Sequence, residues 1–189
     1  MVLSVTIKVH PDFPLTFGFL NFSGAPPEAH WKAIAAYNVI TPDLTNSQAF
    51  SLALYSNVSF SITPLAILNK TEMELTAMLR PLLETLEDFN IQYNFSIRSG
   101  LRYLDGLKLL GAIFPNVGNL LVGSRLLPRS LWANGSGMAS VLDASRELTD
   151  AGFRLIEFSL KLPTRLDGDP QNAVLPAWRE AHRLVNPTL

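Results

Sequence analysis

Two short stretches of the chain concentrate side chains that bind and polarise small molecules. Residues 123–129 contain two arginines and a proline, and residues 172–179 combine Asn, Pro, Trp and Arg. Guanidinium groups donate to carbonyl and carboxylate oxygens, and an indole ring forms an apolar wall. The structural alternative is that the prolines fix turns, Trp178 fills a core, and the arginines pair with acids such as Glu157.

The common signatures of metal and nucleophile chemistry are absent from the sequence. The histidines, His10, His30 and His182, have no metal-ligand spacing, and no nucleotide-binding glycine loop occurs. The nearest approach to a nucleophile elbow is residues 134–137, Asn-Gly-Ser-Gly. Because this run precedes a helical pattern, we interpret it as a loop in which Ser136 caps the helix.

The composition excludes several classes of protein and raises the question of what covers an apolar surface. The 189 residues contain 15 Lys and Arg, 16 Asp and Glu, and no Cys. A net charge of −1 excludes a strongly basic nucleic-acid binder, and the lack of Cys excludes disulfides and thiolate chemistry. Charged residues make up 16%, against about 25% in an average globular protein. The longest apolar stretch, 107–122, is interrupted by Lys, Pro and Asn, so we expect no membrane span.

The patterning predicts an α+β fold, an antiparallel β-sheet with helices packed on one face, in a single unit over residues 1–189. The clearest helix follows the capping box at Thr71 and Glu74. We expect another helix from residue 26 to about residue 37, ended by Thr41-Pro42-Asp43. The other predicted elements are listed here: strands at 3–9, 15–22, 49–55, 58–68, 91–97, 120–127 and 153–162, and helices at 99–110 and 136–149.

Both polar stretches resemble signatures of a known enzyme family. Gly-Ser-Arg-Leu-Leu-Pro-Arg at 123–129 and Asn-Ala-Val-Leu-Pro-Ala-Trp-Arg at 172–179 are similar to the substrate domain of berberine-bridge-enzyme-like FAD-linked oxidases. The opening run at 2–12 resembles the last strand of the flavin domain in that family. The resemblance implies that the sheet face away from the helices forms the roof of a substrate cavity.

The same resemblance implies that family members hold FAD with a separate domain, whose glycine loop and flavin-linking His and Cys have no counterpart here. We therefore expect a substrate domain without its FAD-binding domain, and no cofactor. A bare apolar sheet face costs roughly 2.5 kcal/mol for each 100 Å² left exposed. We expect that face to form a homodimer or a pocket for an apolar small molecule.

These expectations lead to three functional hypotheses. The first is a flavin-independent cyclase or isomerase, of the pericyclase type, that acts on an apolar polyketide or terpenoid in secondary metabolism. The second is one half of a split FAD-dependent oxidoreductase, and the third is a non-catalytic carrier. From the family cavity and strand positions, the predicted catalytic residues are Arg125, Tyr93, Glu157 and His182. The predicted substrate-binding residues are Tyr55, Trp178, Arg179 and Asn172, and no metal site is expected.

Five Asn-x-Ser/Thr sequons conflict with an N-terminus that does not resemble a signal peptide. They begin at Asn21, Asn57, Asn69, Asn94 and Asn134. We expect a cytoplasmic location by default and interpret the sequons as a sign of secretory ancestry.

Overall fold

The computed structural model describes residues 4–5, 11–109, 123–162 and 175–188. The strands are β1 (Leu15–Ser23), β2 (Phe50–Tyr55), β3 (Ser59–Leu68), β4 (Tyr93–Leu101), β5 (Arg125–Pro128), β6 (Arg154–Ser159) and β7 (Ala181–Thr188). The α-helices are α1 (Pro27–Asn46), α2 (Glu72–Asp88), α3 (Tyr103–Leu109), α4 (Gly135–Asp150) and α5 (Ala177–Glu180), and a 3₁₀ turn spans Arg129–Trp132. The expected first strand at 3–9 lies outside the described residues, apart from residues 4 and 5.

The strands form a single seven-stranded sheet in the order β4-β1-β3-β2-β6-β7-β5. Every neighbouring pair is antiparallel. Helices α1, α2 and α4 pack on one face, here called the helix face, where they bury a core that includes Tyr37, Phe60 and Leu75. The predicted α+β class, with helices on one face of an antiparallel sheet, is therefore confirmed for the described residues.

Helix α1 continues nine residues beyond its expected end, so the predicted break at 41–43 is wrong. Proline removes one backbone N–H and leaves the carbonyl four residues earlier without its usual donor. Here the Thr41 hydroxyl donates to the Asn38 carbonyl at 3.0 Å, so this oxygen stays satisfied although Pro42 follows. Burial of Ile40 and Leu44 against the core then holds the last turns in place.

Helix α2 begins at the predicted capping box. Thr71 Oγ1 accepts from the Glu74 backbone N–H at 3.2 Å, and Glu74 Oε2 accepts from the Thr71 N–H at 2.9 Å. Leu75, Leu79, Leu82 and Leu86 form its buried stripe. The hairpin of β2 and β3 also follows the expectation, within one residue at each strand start.

Two local expectations are corrected. Helix α3 begins at Tyr103 rather than residue 99, because β4 continues to Leu101 as a partner of β1. The cap of α4 is Asn134 rather than Ser136: Asn134 Oδ1 accepts from the Gly137 N–H at 2.8 Å. Helix α3 packs on the face opposite the other helices, where Gly106 contacts Phe17 of β1.

Candidate functional site

The sheet face opposite α1, α2 and α4, here called the open face, carries a continuous row of apolar side chains across four strands. Leu52 pairs with Phe158, Phe158 with Leu184, and Leu184 with Leu126. Residues directly opposite each other in an antiparallel sheet share a face. All four are half-buried, and the ring of Phe50 lies 6.2 Å from the ring of Phe158. We call Leu52, Phe158, Leu184 and Leu126 the apolar row.

The next row of the open face is polar on β4, β1 and β3, apolar on β2 and β6, and polar again on β7. In strand order from β4 to β7 its residues are Asn94, Asn21, Ser61, Leu54, Ile156 and Asn186. Asn94 Nδ2 donates to Asn21 Oδ1 at 3.1 Å. In this row β4, β1 and β3 therefore offer amide and hydroxyl groups, β2 and β6 offer hydrocarbon, and β7 again carries an amide, whose Oδ1 accepts from the Ser124 hydroxyl at 2.8 Å.

A buried ionic cluster lies on the helix face, directly behind the apolar row. The side chains of Glu157 on β6 and Arg183 on β7 are both 0% exposed, and Arg183 Nη1 lies 2.8 Å from Glu157 Oε2. Tyr55 of β2 donates to Glu157 Oε1 at 2.6 Å, and its hydroxyl oxygen lies 3.2 Å from Ser145 Oγ of α4. Burial, and then the Glu157 charge, raise the pKa of Tyr55 well above its usual value.

Arg183 also holds α1 against the sheet. Its guanidinium donates to Ser159 Oγ at 2.9 Å, Asn38 Oδ1 at 2.8 Å and Thr41 Oγ1 at 3.2 Å. The guanidinium carbon also lies 4.9 Å from the centre of the Trp132 ring. These contacts compensate for the loss of hydration of a fully buried cation.

His182 extends this cluster towards the end of α1. Its Nε2 lies 3.0 Å from Thr41 Oγ1, and its ring centre lies 4.3 Å from that of Trp132. Burial, followed by the charges of Arg183 and Arg129, lowers the pKa of His182 to about 3. The imidazole is therefore neutral near pH 7, in a setting with no solvent access.

The structure brings three of the predicted site residues into one buried cluster. Tyr55 and Glu157 form a hydrogen bond, and His182 and Glu157 are joined through the guanidinium of Arg183 and the hydroxyl of Thr41. All of these groups lie on the helix face. A molecule on the open face would contact the opposite side of the sheet. Their roles as catalytic or binding groups stay predictions.

The other predicted catalytic residues lie far apart. Tyr93 belongs to β4 and Arg125 to β5, which form the two opposite edges of the sheet. At ~4.8 Å per strand, six spacings separate them by roughly 29 Å. Arg125 is exposed, and the Tyr93 hydroxyl donates to Glu87 at 3.2 Å. One small molecule does not reach both.

The remaining predicted binding residues belong to the segment before β7. Trp178 and Arg179 are half-buried in the short helix α5, and Asn172 lies outside the described residues. Arg183, the centre of the ionic cluster, and the four residues of the apolar row were missed by sequence reasoning. The alternation of apolar and polar residues in 153–162 indicated an apolar strand face, but only the strand order shows which residues of neighbouring strands lie side by side.

The described residues do not fit a metal ion or a complete FAD. Within the ranges described, no three His, Cys, Asp or Glu side chains are placed to hold a metal. The diphosphate of FAD needs free backbone N–H groups, typically in a glycine loop before a helix. Among the described helix starts, only that of α4 has two glycines, and there Asn134 occupies the Gly137 N–H. A Cβ at Gly137 would lie 2.4 Å from the Leu131 carbonyl oxygen, so this glycine serves close packing.

No described helix is both long and apolar enough to cross a membrane.

Comparison with known proteins shows the family to which this architecture is related. No family model matches the chain. The FAD-linked oxidoreductase patO of Aspergillus clavatus is 32% identical over 187 residues, which cover 96% of this chain and 32% of that protein. The bifunctional decalin synthase calF of Penicillium decumbens is 27% identical over 196 residues, 98% of this chain and 33% of that protein.

Solved structures agree with these relatives. A VAO-type flavoprotein from Myceliophthora thermophila C1 matches with a TM-score of 0.77 and 25% identity, over 95% of this chain and 34% of that one. BBE-like 1 from Physcomitrella patens shares the fold, with a TM-score of 0.58 at 8% identity over 93% of this chain and 38% of that one.

The chain is thus a homologue of one region of FAD-linked oxidoreductases and VAO-type flavoproteins, and it shares the fold of the corresponding region of a BBE-like protein, which confirms the resemblance seen in the sequence. It spans about a third of the length of the relatives that it matches.

Proposed function

We propose that the open face forms one wall of a pocket for an apolar metabolite, and that the chain promotes ring closure or isomerisation of that molecule. The observation that carries this proposal is the apolar row, four half-buried hydrocarbon side chains in register across β2, β6, β7 and β5. An apolar surface of this kind is typical of a ligand contact or a protein contact.

Ring closure is a reaction for which such a wall is sufficient. In an intramolecular cycloaddition of a diene with an alkene, two carbon–carbon σ-bonds form and three double bonds become one. No atom or electron is gained or lost, so neither an oxidant nor a proton donor is needed. A surface that holds the two ends in contact restricts the substrate to its reactive conformer, and because the reaction is already intramolecular the gain is the conformational part of the entropy of orientation.

The relatives support both the proposal and a second candidate. The similarity to a decalin synthase supports ring formation. The higher identity to an FAD-linked oxidoreductase supports the alternative that this unit contributes to an oxidoreductase whose flavin is held by another polypeptide segment or chain. The third candidate is a non-catalytic carrier, because an apolar row can bind an apolar metabolite without converting it.

The polar side of the open face orients the substrate in this proposal. Asn21 Oδ1 accepts from Asn94 and the Ser61 hydroxyl donates to the Leu54 carbonyl at 3.4 Å, so the group that donates to a carbonyl at one end of the ligand is the Asn21 amide nitrogen. Polarising that carbonyl accelerates closure. Arg125 and Tyr93 remain predicted donors; Glu157 and His182 remain predicted proton shuttles, but they lie on the helix face and this ring closure does not use them. Unchanged turnover after Arg125→Ala and Tyr93→Ala removes the first two from the mechanism.

The proposal is tested with a linear triene that carries an activated alkene, incubated with the purified chain. The expected product has the same mass as the probe and a new retention time, and it forms faster than in buffer. Phe158→Asp places a charge in the centre of the apolar row and abolishes this gain. Met73→Asp, which places the same charge at an 82% exposed side chain of α2, away from the open face, is the matched control and retains it.

Size-exclusion chromatography with an absorbance spectrum separates the candidates. A colourless protein that converts the probe supports the cyclase. A flavin spectrum that depends on a co-purifying chain, together with a product lighter by two hydrogens, supports the oxidoreductase. Bound but unchanged probe indicates the carrier. If a second copy of the chain covers the apolar row, we expect a homodimer in solution, and Phe158→Asp is expected to dissociate it.

A further inference from the structure

The sequence carries more N-glycosylation sequons than its composition predicts. Of its 189 residues, 26 are Ser or Thr, so chance places about two sequons after its 12 Asn, and it has five. All five Asn are exposed: Asn21, Asn57, Asn69, Asn94 and Asn134. Exposure alone does not separate them, but their backbone settings and hydrogen bonds do.

Two of the five lie in turns at opposite ends of β3. Asn57 is in the three-residue connection between β2 and β3, which the Ser56 N–H closes by donating to the Ser59 carbonyl at 2.9 Å. Asn69 follows β3 with a φ of 53°, in the left-handed region that Asn tolerates better than most residues. Neither side chain makes a hydrogen bond within the described ranges. Both carboxamides therefore project into solvent where bulky groups fit.

The third lies at the start of α4, where the side chain has a structural task that a glycan leaves intact. Asn134 Oδ1 accepts from the Gly137 N–H at 2.8 Å and the Ser136 hydroxyl at 2.9 Å. An N-linked sugar replaces one hydrogen on Nδ2, and the amide keeps its carbonyl oxygen. The helix cap therefore persists in the glycosylated form.

The remaining two sequons lie in neighbouring strands on the open face. Asn94 and Asn21 are paired residues of β4 and β1, and Asn94 Nδ2 donates to Asn21 Oδ1 at 3.1 Å. A sugar on Asn94 Nδ2 would leave a single hydrogen for this contact, and a sugar on either residue would stand upright on the sheet surface, directly beside its paired neighbour.

We propose that Asn57, Asn69 and Asn134 carry N-linked glycans, and that Asn21 and Asn94 do not. The chemistry is the transfer of an oligosaccharide from a lipid-linked diphosphate donor to the Asn amide nitrogen, with the lipid diphosphate as leaving group. The chain accordingly passes through the secretory pathway, contrary to the default expectation from its N-terminus. The glycans lie in turns and at a helix start, and the open face stays free of them.

The test uses the protein purified from the organism that produces it. Enzymatic removal of N-glycans leaves Asp at each former acceptor. Electrophoresis is expected to show a mass decrease, and peptide mass spectrometry is expected to find Asp at 57, 69 and 134, with unmodified Asn at 21 and 94. An unchanged mass overturns the proposal. Asp at 21 or 94, or Asn at any of the three turn and cap sites, overturns the assignment.

Variants with Asp at single sequons provide the matched controls. Asn57→Asp, Asn69→Asp and Asn134→Asp each remove one acceptor, and Asp tolerates both the left-handed backbone and the cap position. Each is expected to lower the number of glycans by one, and the triple variant is expected to run like the deglycosylated protein. Asn94→Asp is expected to change nothing. A triple variant that still shifts on deglycosylation contradicts the proposal.

Discussion

Arg183→Met tests whether the buried ionic cluster holds the sheet and α1 together. Met fills a similar apolar volume but removes the ion pair to Glu157, at 2.8 Å, and the three hydrogen bonds to Ser159, Asn38 and Thr41. Glu157, itself 0% exposed, then keeps the Tyr55 hydroxyl as its side-chain donor among the described residues. Removing one partner of a buried pair costs about 3–5 kcal/mol, mainly because the other charge remains buried without compensation.

The assay is urea denaturation followed by tryptophan fluorescence and circular dichroism. Arg183→Met is expected to lower the free energy of unfolding by about 4 kcal/mol. Arg183→Lys keeps the charge but not the fork of donors, so we expect a smaller loss. Arg146→Met, an exposed arginine 5.5 Å from the Trp31 ring, is the control and costs under about 1 kcal/mol.

A double-mutant cycle measures the coupling itself. If Glu157→Gln and Arg183→Met remove one shared interaction, their combined loss is smaller than the sum of the single losses by at least ~2 kcal/mol. A loss below about 1 kcal/mol for Arg183→Met, or strict additivity in the cycle, refutes the reasoning, because a buried charge pair at 2.8 Å is then energetically silent.

Three further changes test individual contacts through the free energy of unfolding in urea. The pKa of His182 is about 3 in the fold and about 6.5 in an unfolded chain. As the pH falls from 6.5 towards 3, only the unfolded state therefore gains this proton. Between pH 7 and pH 5 the wild type should thus lose about 2 kcal/mol more than His182→Gln, and equal losses would contradict the shift. Thr71→Ala is expected to cost about 1 kcal/mol through loss of the α2 cap, whereas Thr71→Ser retains it; equal stability of both variants argues against the capping box. Gly106→Ala places a Cβ 2.2 Å from Phe17 Cζ and is expected to cost about 1–3 kcal/mol, while Gly135→Ala, which meets no atom within 4 Å, should be near neutral; a neutral Gly106→Ala contradicts the close packing of α3.

Local patterns in the sequence predict the fold class and many of the elements. The capping box at Thr71 is read from four consecutive residues, and the hairpin follows from two β-rich runs around a short turn. The length of α1, by contrast, cannot be predicted from its local sequence pattern alone. It depends on a side-chain hydroxyl of Thr41 that replaces the donor lost at Pro42, and on burial of the turns that follow.

The candidate site is less predictable because it depends on strand order. Alternation tells which residues of β6 share a face, but not that Phe158 meets Leu52 on one side and Leu184 on the other. Alternation also favours apolar residues inward, so the inward positions of Glu157 and Arg183 run against the pattern. The prediction that arginines pair with acids such as Glu157 named the correct chemistry, but the partner is Arg183.

Conversion of the triene probe by the wild type and by Phe158→Asp tests the central claim most directly. A cyclase that uses the apolar row gives a product of unchanged mass from the colourless wild-type protein and, for Phe158→Asp, a rate no higher than that in buffer, although the variant remains folded. Equal rates for wild type and variant, or conversion that occurs only with added flavin and removes two hydrogens, would contradict it.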